Sequence, residues 1–160
     1  MRKRYGVIQR SSVKRRTFSG IAYDSLLECC RARQLAVQEP TGLQWEAHPK
    51  FTLGCPENTY TADFRVWSAD DPRLFVRVPA SGWPASGRMI DVPEGWAEEV
   101  KGPVTEGVER LKTLWRAHGP VPLVILTRTG GNGLQTRWSR AVIIPRGAGE
   151  DFSDNQTGRR

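Results

Sequence analysis

The chain has 160 residues and a formal net charge of +7, with 38% hydrophobic and 26% charged residues. This composition is ordinary for a single domain with a substantial core, and no apolar run is long enough to cross a membrane. The three cysteines, Cys29, Cys30 and Cys55, exclude a disulfide framework and lack the spacing of zinc ligands. The basic N-terminus is not followed by an apolar segment, so we expect no signal peptide and a cytoplasmic protein.

The positive charge is concentrated at the N-terminus. Residues 1–16 contain no acid and seven basic residues, which are Arg2, Lys3, Arg4, Arg10, Lys14, Arg15 and Arg16. These residues carry the whole net charge, because the remaining 17 basic residues balance 17 acidic ones. A separate basic cluster is typical of an arm that neutralises the phosphates of nucleic acid. We therefore predict a flexible nucleic-acid-binding arm over residues 1–16; the alternative is a solvated tail with no role.

The first helix carries an acidic residue that has two interpretations. A short hairpin over residues 18–23 precedes a helix that begins at Asp24 or Ser25 and ends near Gln38. Ser25 and Glu28 have the spacing of a capping box, in which the glutamate accepts a hydrogen bond from the N-cap amide. In the other interpretation, the Glu28 carboxylate projects toward an acidic site further along the chain. Both interpretations are open at this point.

Residues 60–67 form the first of two short segments with side chains suited to metal chemistry. The segment is rich in aromatic and β-branched residues, which predicts a strand. Side chains alternate between the faces of a strand. Ala62, Phe64 and Val66 are therefore expected to form an apolar face, with Asp63 pointing the opposite way.

Residues 96–102 form the second segment, which is also predicted to be a strand. Alternation places Glu99 and Lys101 on one face, whereas Glu98 lies on the other face in a structural or surface role. If this strand pairs with the first, Asp63, Glu99 and Lys101 meet at one spot. Carboxylates suit a hard cation such as Mg²⁺, which can activate water and polarise a phosphoryl oxygen while a lysine positions that water.

These residues resemble the signature of the PD-(D/E)XK nucleases. Asp63 is followed, after a longer connection, by Glu99 and Lys101 one residue apart, with Ala62 in place of the usual proline. The order of motifs is a first-helix glutamate, Pro-Lys-Phe, Ala-Asp-Phe and Glu-Val-Lys-Gly. This order is similar to that of small phage nucleases and, more distantly, of archaeal-type Holliday junction resolvases, over roughly residues 17–127.

The resemblance and the order of elements imply an α/β fold of the restriction-endonuclease type, with a central mixed, twisted sheet flanked by helices. We expect one nuclease domain over residues 17–145 and a disordered tail over residues 146–160. A second helix over residues 104–118 carries Arg110 and Lys112, which are either DNA contacts or part of a solvated face.

Residues 70–95 are an insertion relative to the family. A strand is predicted over residues 74–78, followed by a Pro/Gly/Ser-rich loop that contains Trp83. Trp83 either stacks on an unpaired base or wedges a junction, or it packs on its own sheet. A buried strand over residues 121–127 and a last strand or partner-contact segment over residues 134–144 follow.

The resemblance also implies a function, which is hydrolysis of four-way DNA junctions in a bacterial or phage-infected cell. It implies catalytic roles for Glu28, Asp63, Glu99 and Lys101. It also implies that Mg²⁺, or Mn²⁺ in its place, is held by Asp63, Glu99, the Val100 carbonyl and Glu28. A homodimer is expected, because a junction needs two cuts. A less selective endonuclease acting on branched, flap or duplex DNA, and a non-catalytic DNA-binding module on the same fold, are the alternatives.

Overall fold

The computed structural model of the chain describes residues 12–77, 87–102 and 107–146. Within these ranges the two α-helices are α1 (Leu26–Gln38) and α2 (Val108–His118). The strands are β1 (Thr17–Phe18), β2 (Ile21–Ala22), β3 (Leu43–Ala47), β4 (Lys50–Thr52), β5 (Thr59–Thr61), β6 (Phe64–Ser68), β7 (Arg73–Arg77), β8 (Gly87–Asp91), β9 (Trp96–Lys101), β10 (Leu123–Gly130) and β11 (Arg137–Ile143). No helix in the described ranges is long and apolar enough to span a membrane.

A five-stranded mixed sheet forms the centre of the domain, in the order β11, β10, β9, β6 and β3. Strands β9 and β10 are parallel, and the other neighbours are antiparallel. A parallel pair needs a crossover, and α2 lies in the connection between these two strands. The prediction of a single α/β domain with a mixed sheet and flanking helices is therefore confirmed.

The sheet separates two apolar clusters, one on each face. The first cluster is closed by α1 and by the β7–β8 hairpin, and its buried members include Cys29, Ala32, Leu35, Phe64, Val66, Leu74, Ile90, Trp96, Val100 and Leu126. The second cluster is closed by α2 and by the β4–β5 hairpin, and its buried members include Phe51, Leu53, Ala62, Ala97, Leu111, Trp115, Leu123 and Ile125. Alternation along β9 thus sends Glu99 and Lys101 to the face that α2 covers.

The strand predicted over residues 60–67 is in fact two strands, β5 and β6, which belong to different sheets. The chain bends between β5 and β6. Their pairing partners, β4 and β3, are consecutive in the chain, and the chain bends between these two strands at the position opposite Asp63. The His48 N–H donates to the Asp63 carbonyl at 3.0 Å, and the Ala62 N–H donates to the Pro49 carbonyl at 3.1 Å. The prediction that Ala62, Phe64 and Val66 share one face was wrong, because the bend turns Ala62 into the second cluster.

The insertion over residues 70–95 contains the antiparallel hairpin of β7 and β8. The predicted strand over residues 74–78 is seen as β7, one residue earlier at its start. Leu74 and Ile90 face each other in this hairpin and are buried against the α1 side of the sheet. Trp83 lies outside the described residues, so its predicted role is open.

The two ends of the domain are held by local contacts. Lys14, Arg15 and Arg16 of the predicted arm lie in a 3-10 helix over Val13–Arg16, and the Arg16 guanidinium donates to the Tyr23 carbonyl. Arg2, Lys3, Arg4 and Arg10 lie outside the described residues. At the other end, the Arg146 N–H donates to the Arg116 carbonyl at 2.7 Å, and residues 147–160 of the predicted tail lie outside the description.

Candidate active site

Asp63 lies at the bend between β5 and β6 and faces β9. The register pairs Phe64 with Glu98, so the next position places Asp63 across from Glu99. The backbone ladder between the two strands stops there, and the Asp63 Oδ2 atom accepts a hydrogen bond from the Val100 N–H at 2.6 Å. In a straight strand pair a backbone carbonyl would accept from the Val100 N–H. Because the chain bends at Asp63, the Asp63 side chain accepts this bond instead, which fixes the carboxylate against β9.

Glu99 and Lys101 extend from β9 on the same face, as predicted. The Lys101 Nζ atom lies 2.5 Å from the Glu99 Oε1 atom. The Glu99 side chain is almost fully buried, and no hydrogen bond of ordinary length reaches its other oxygen, Oε2, from the described residues, although the Tyr60 hydroxyl approaches this carboxylate. A buried polar atom without a partner is costly, so this oxygen is suited to a donor or cation that binds at the site.

The electrostatic state of Asp63 supports this interpretation. Burial is the largest cause that raises the pKa of Asp63, followed by the negative charges of Glu99 and Glu28, and the resulting pKa is about 8. The Val100 N–H and the Lys101 ammonium act in the opposite direction. Two carboxylates this close resist being ionised together unless a cation lies between them.

Glu28 takes part in the capping of α1 and also lies in electrostatic reach of Asp63. The Ser25 Oγ atom accepts from the Glu28 N–H at 3.1 Å, and the Glu28 Oε2 atom accepts from the Asp24 N–H at 3.0 Å. The first of these is the serine bond of a capping box, whereas the second comes from the residue before the N-cap rather than from the Ser25 N–H that the motif predicts. The Glu28 charge also helps to raise the pKa of Asp63, so both interpretations describe part of its environment.

The acid groups fit a hard cation with few protein ligands. In residues 12–77, 87–102 and 107–146, no group of three or more His, Cys, Asp or Glu side chains is arranged to hold a metal ion. Asp63 and Glu99 are two neighbouring carboxylates, and one oxygen of Glu99 is buried without a hydrogen bond of ordinary length from the described residues. Mg²⁺ commonly keeps several waters and uses only one or two protein carboxylates. The residues present therefore fit Mg²⁺, with Glu28 acting from a distance rather than as part of a three-acid group.

Glu98 lies on the opposite face of β9 and is fully buried. The Arg31 guanidinium of α1 donates two hydrogen bonds of 2.7 Å to its carboxylate, and the Trp96 indole donates a third at 3.1 Å. Of the two roles predicted for Glu98, the structural one is confirmed and the surface one is wrong. The network fixes β9 against α1 directly behind the candidate site.

The two α2 residues predicted to contact DNA lie on different sides of that helix. Arg110 lines a cavity of about 340 Å³ together with Lys101, at the edge of the candidate site. Lys112 forms an ion pair of 2.6 Å with Glu109 and lines a separate cavity of about 610 Å³ with Arg116 and β11. The structure therefore brings Arg110, but not Lys112, next to the acidic cluster.

Tyr60 is a site residue that the sequence interpretation missed. It lies on β5, lines the same cavity as Lys101, and packs edge-on against Trp115 with ring centroids 5.7 Å apart. Burial, and then the Glu99 and Asp63 carboxylates, raise the pKa of its hydroxyl above the usual value. A straight strand would place Tyr60 and Asp63 on opposite faces, so only the bend reveals that they belong to one site.

No protein-family model, no curated protein and no solved structure matches this chain. The resemblance to PD-(D/E)XK nucleases accordingly rests on its motif residues and on their order along the chain.

Proposed function

We propose that the protein is a metal-dependent DNA endonuclease with a restriction-endonuclease-like fold, and that four-way junctions are its substrate. One observation carries the proposal. Asp63, immediately before β6, and Glu99, on β9, meet beside Lys101. Burial and the repulsion between the carboxylates disfavour their ionisation, so the pair favours an added cation. This combination is suited to phosphodiester hydrolysis and has no evident role in stabilising the fold, because it raises the cost of ionising Asp63.

The chain's own groups divide the work in this proposal. Asp63, Glu99 and the main-chain carbonyl of Val100 would hold Mg²⁺, or Mn²⁺ in its place. When bound, such a cation supplies an acidified water and polarises a phosphoryl oxygen. Lys101 is 29% exposed, so its ammonium is accessible to donate a hydrogen bond to a water or to a phosphate oxygen while Glu99 holds it in place. The negative charge of Glu28 strengthens the preference of Asp63 for a cation.

The wider surface supports a nucleic-acid substrate and a dimer. The predicted arm supplies seven positive charges, and Arg110 adds a cation beside Lys101. A junction needs two cuts, which a two-fold dimer provides. β11 is an edge strand of the central sheet as described, so a second copy can pair with it. Trp138 of β11 is less available than its sequence suggests, because its indole donates to the Gln34 side chain at 2.7 Å.

A cleavage assay tests the proposal. A labelled four-way junction and a linear duplex of the same sequence are incubated with Mg²⁺ and with wild type, Asp63→Asn, Lys101→Met or Asp91→Asn protein. Asp91 is an exposed acid on β8, so Asp91→Asn is the matched control. We expect paired nicks in the junction from wild type and control, an intact duplex, and no cutting by the two site variants.

The other outcomes separate the alternatives. Equal cutting of junction and duplex would mean a less selective endonuclease. Tight DNA binding with no cutting in Mg²⁺ or Mn²⁺ would mean a DNA-binding module and would overturn the catalytic interpretation of the carboxylates.

A further inference from the structure

A groove leads away from the candidate site along α2. The cavity of about 340 Å³ that contains Lys101 adjoins a second cavity of about 600 Å³, and both are lined by Arg110 and Leu114. The second cavity continues to Asn58 in the turn between β4 and β5. We call this continuous depression the α2 groove. Each cavity has the volume of a small-molecule site, which is roughly 300–1,000 Å³.

The walls of the α2 groove combine apolar surface with unpaired positive charge. Tyr60, Leu111 and Leu114 form the apolar wall, and Tyr60 is held by its edge-on contact with Trp115. Arg110 is exposed and makes no ion pair or hydrogen bond within the described residues. By contrast, the neighbouring Lys112 is paired with Glu109.

We propose that the α2 groove binds one unstacked nucleotide of the DNA strand next to the scissile phosphate, with its base on the Tyr60–Leu114 wall and a phosphate at Arg110. The inference rests on the proposed function for the identity of the strand, and it deepens that function by naming the substrate class. A base inside a duplex is stacked on both faces and has no free surface for an apolar wall, whereas an unpaired base has one. At a four-way junction this nucleotide would be one that leaves the stack at the branch point, where stacking is already interrupted.

The pairing of an aromatic wall with a cation matches the chemistry of a single nucleotide. Proteins that hold single-stranded nucleic acid combine a positive groove along the backbone with flat side chains on which bases stack. A cationic peptide fits less well, because Glu109 is the one acid among the described residues that line the groove, and it is already paired with Lys112. The position of Lys101 in the same cavity makes the groove continuous with the carboxylates.

Binding measurements in the Asp63→Asn background test the groove without any cleavage. One probe is a duplex with a single unpaired 2-aminopurine, and the other is the fully paired duplex. Leu114→Gln should weaken binding of the first probe, because it replaces apolar surface under the base by a polar side chain, and leave binding of the second unchanged. Arg110→Ala should weaken binding of the unpaired probe and lower the slope of its salt dependence by about one.

Arg116→Ala is the matched control, because Arg116 is exposed on α2 but lines the cavity on the β11 side. It should leave the preference for the unpaired probe unchanged. Equal losses in Arg110→Ala and Arg116→Ala, or an unchanged preference in Leu114→Gln protein that unfolds at the wild-type temperature, would overturn the proposal.

Cleavage by wild-type protein distinguishes a failure of the groove assignment from a failure of the proposed endonuclease function. If DNA is cut with Mg²⁺ but the groove variants keep their substrate preference, the groove assignment is wrong and the endonuclease stands. If no DNA is cut but the variants lose binding of the unpaired probe, the groove stands and the endonuclease assignment is wrong.

Discussion

Raising the pH is expected to destabilise the metal-free protein through Asp63. Folding raises the pKa of this carboxyl from 3.8 to about 8, mainly by burial and then by the charges of Glu99 and Glu28. Between these two values the folded protein keeps a proton that the unfolded chain releases, so its contribution to stability is present at acidic pH and lost as the pH approaches 8. Linkage lowers the free energy of unfolding by about 1.4 kcal/mol per pH unit, or roughly 3 kcal/mol between about pH 5 and pH 7.

Urea unfolding at a series of pH values, with a chelator present, measures this effect. Asp63→Asn removes the acid and keeps an oxygen that can accept from the Val100 N–H. Its free energy of unfolding should therefore depend less steeply on pH than that of wild type, by about 1.4 kcal/mol per pH unit. Asp91→Asn removes an exposed carboxyl and should give a curve parallel to wild type. Parallel curves for wild type and Asp63→Asn would refute the argument from burial.

Adding Mg²⁺ extends the same test to the metal. A cation must displace the Asp63 proton, so Mg²⁺ should stabilise the wild type more at pH 8 than at pH 5. At a concentration of 100 times its dissociation constant, the gain is about 2.7 kcal/mol. Asp63→Asn should lose most of this gain, and an equal gain in both proteins would show that Mg²⁺ binds elsewhere.

Three further perturbations test other parts of the structure. Arg31→Leu leaves the buried Glu98 carboxylate without its partner and should cost about 3–5 kcal/mol in urea unfolding, most of which the double variant with Glu98→Leu should recover. Gly95 has φ of +79°, and an added Cβ would lie 2.1 Å from the Val66 carbonyl oxygen, so Gly95→Ala should lower the free energy of unfolding by more than about 1 kcal/mol. Deleting residues 1–11 removes four basic residues and should reduce the salt slope of DNA binding by about 3–4, whereas an unchanged slope would exclude this part of the arm from binding.

Local sequence signals predicted much of this architecture. Helix α1 begins after the N-cap Ser25, which is one of the two starting positions that the pattern allowed. Alternation along β9 correctly put Glu99 and Lys101 on one face and Glu98 on the other. These features depend on a few neighbouring residues, whose spacing alone decides which side chains share a face.

The bend at Asp63 depends on two distant segments and was not visible in the sequence. His48 adopts a φ of +56° and donates to the Asp63 carbonyl, so two strands bend together. The segment over residues 60–67 reads alone as an ordinary strand. The position of Tyr60 beside Glu99 follows from this bend, which explains why the residue was missed. The buried partner of Glu98 was missed for a similar reason, because Arg31 lies 67 residues away in the chain.

The buried ion pair and the candidate site depend on each other through the register of β9. Glu98 and Glu99 are identical neighbours, and a slip of one residue would exchange their faces. Arg31 can pair only with the carboxylate that faces α1, and Lys101 pairs with the one that faces α2. A slipped strand would present Glu99 to Arg31 in place of Glu98, but it would also bury Lys101 against the first apolar cluster and remove Val100 from that cluster. Val100 and Lys101 therefore determine which of the two glutamates pairs with Arg31 and which meets Asp63.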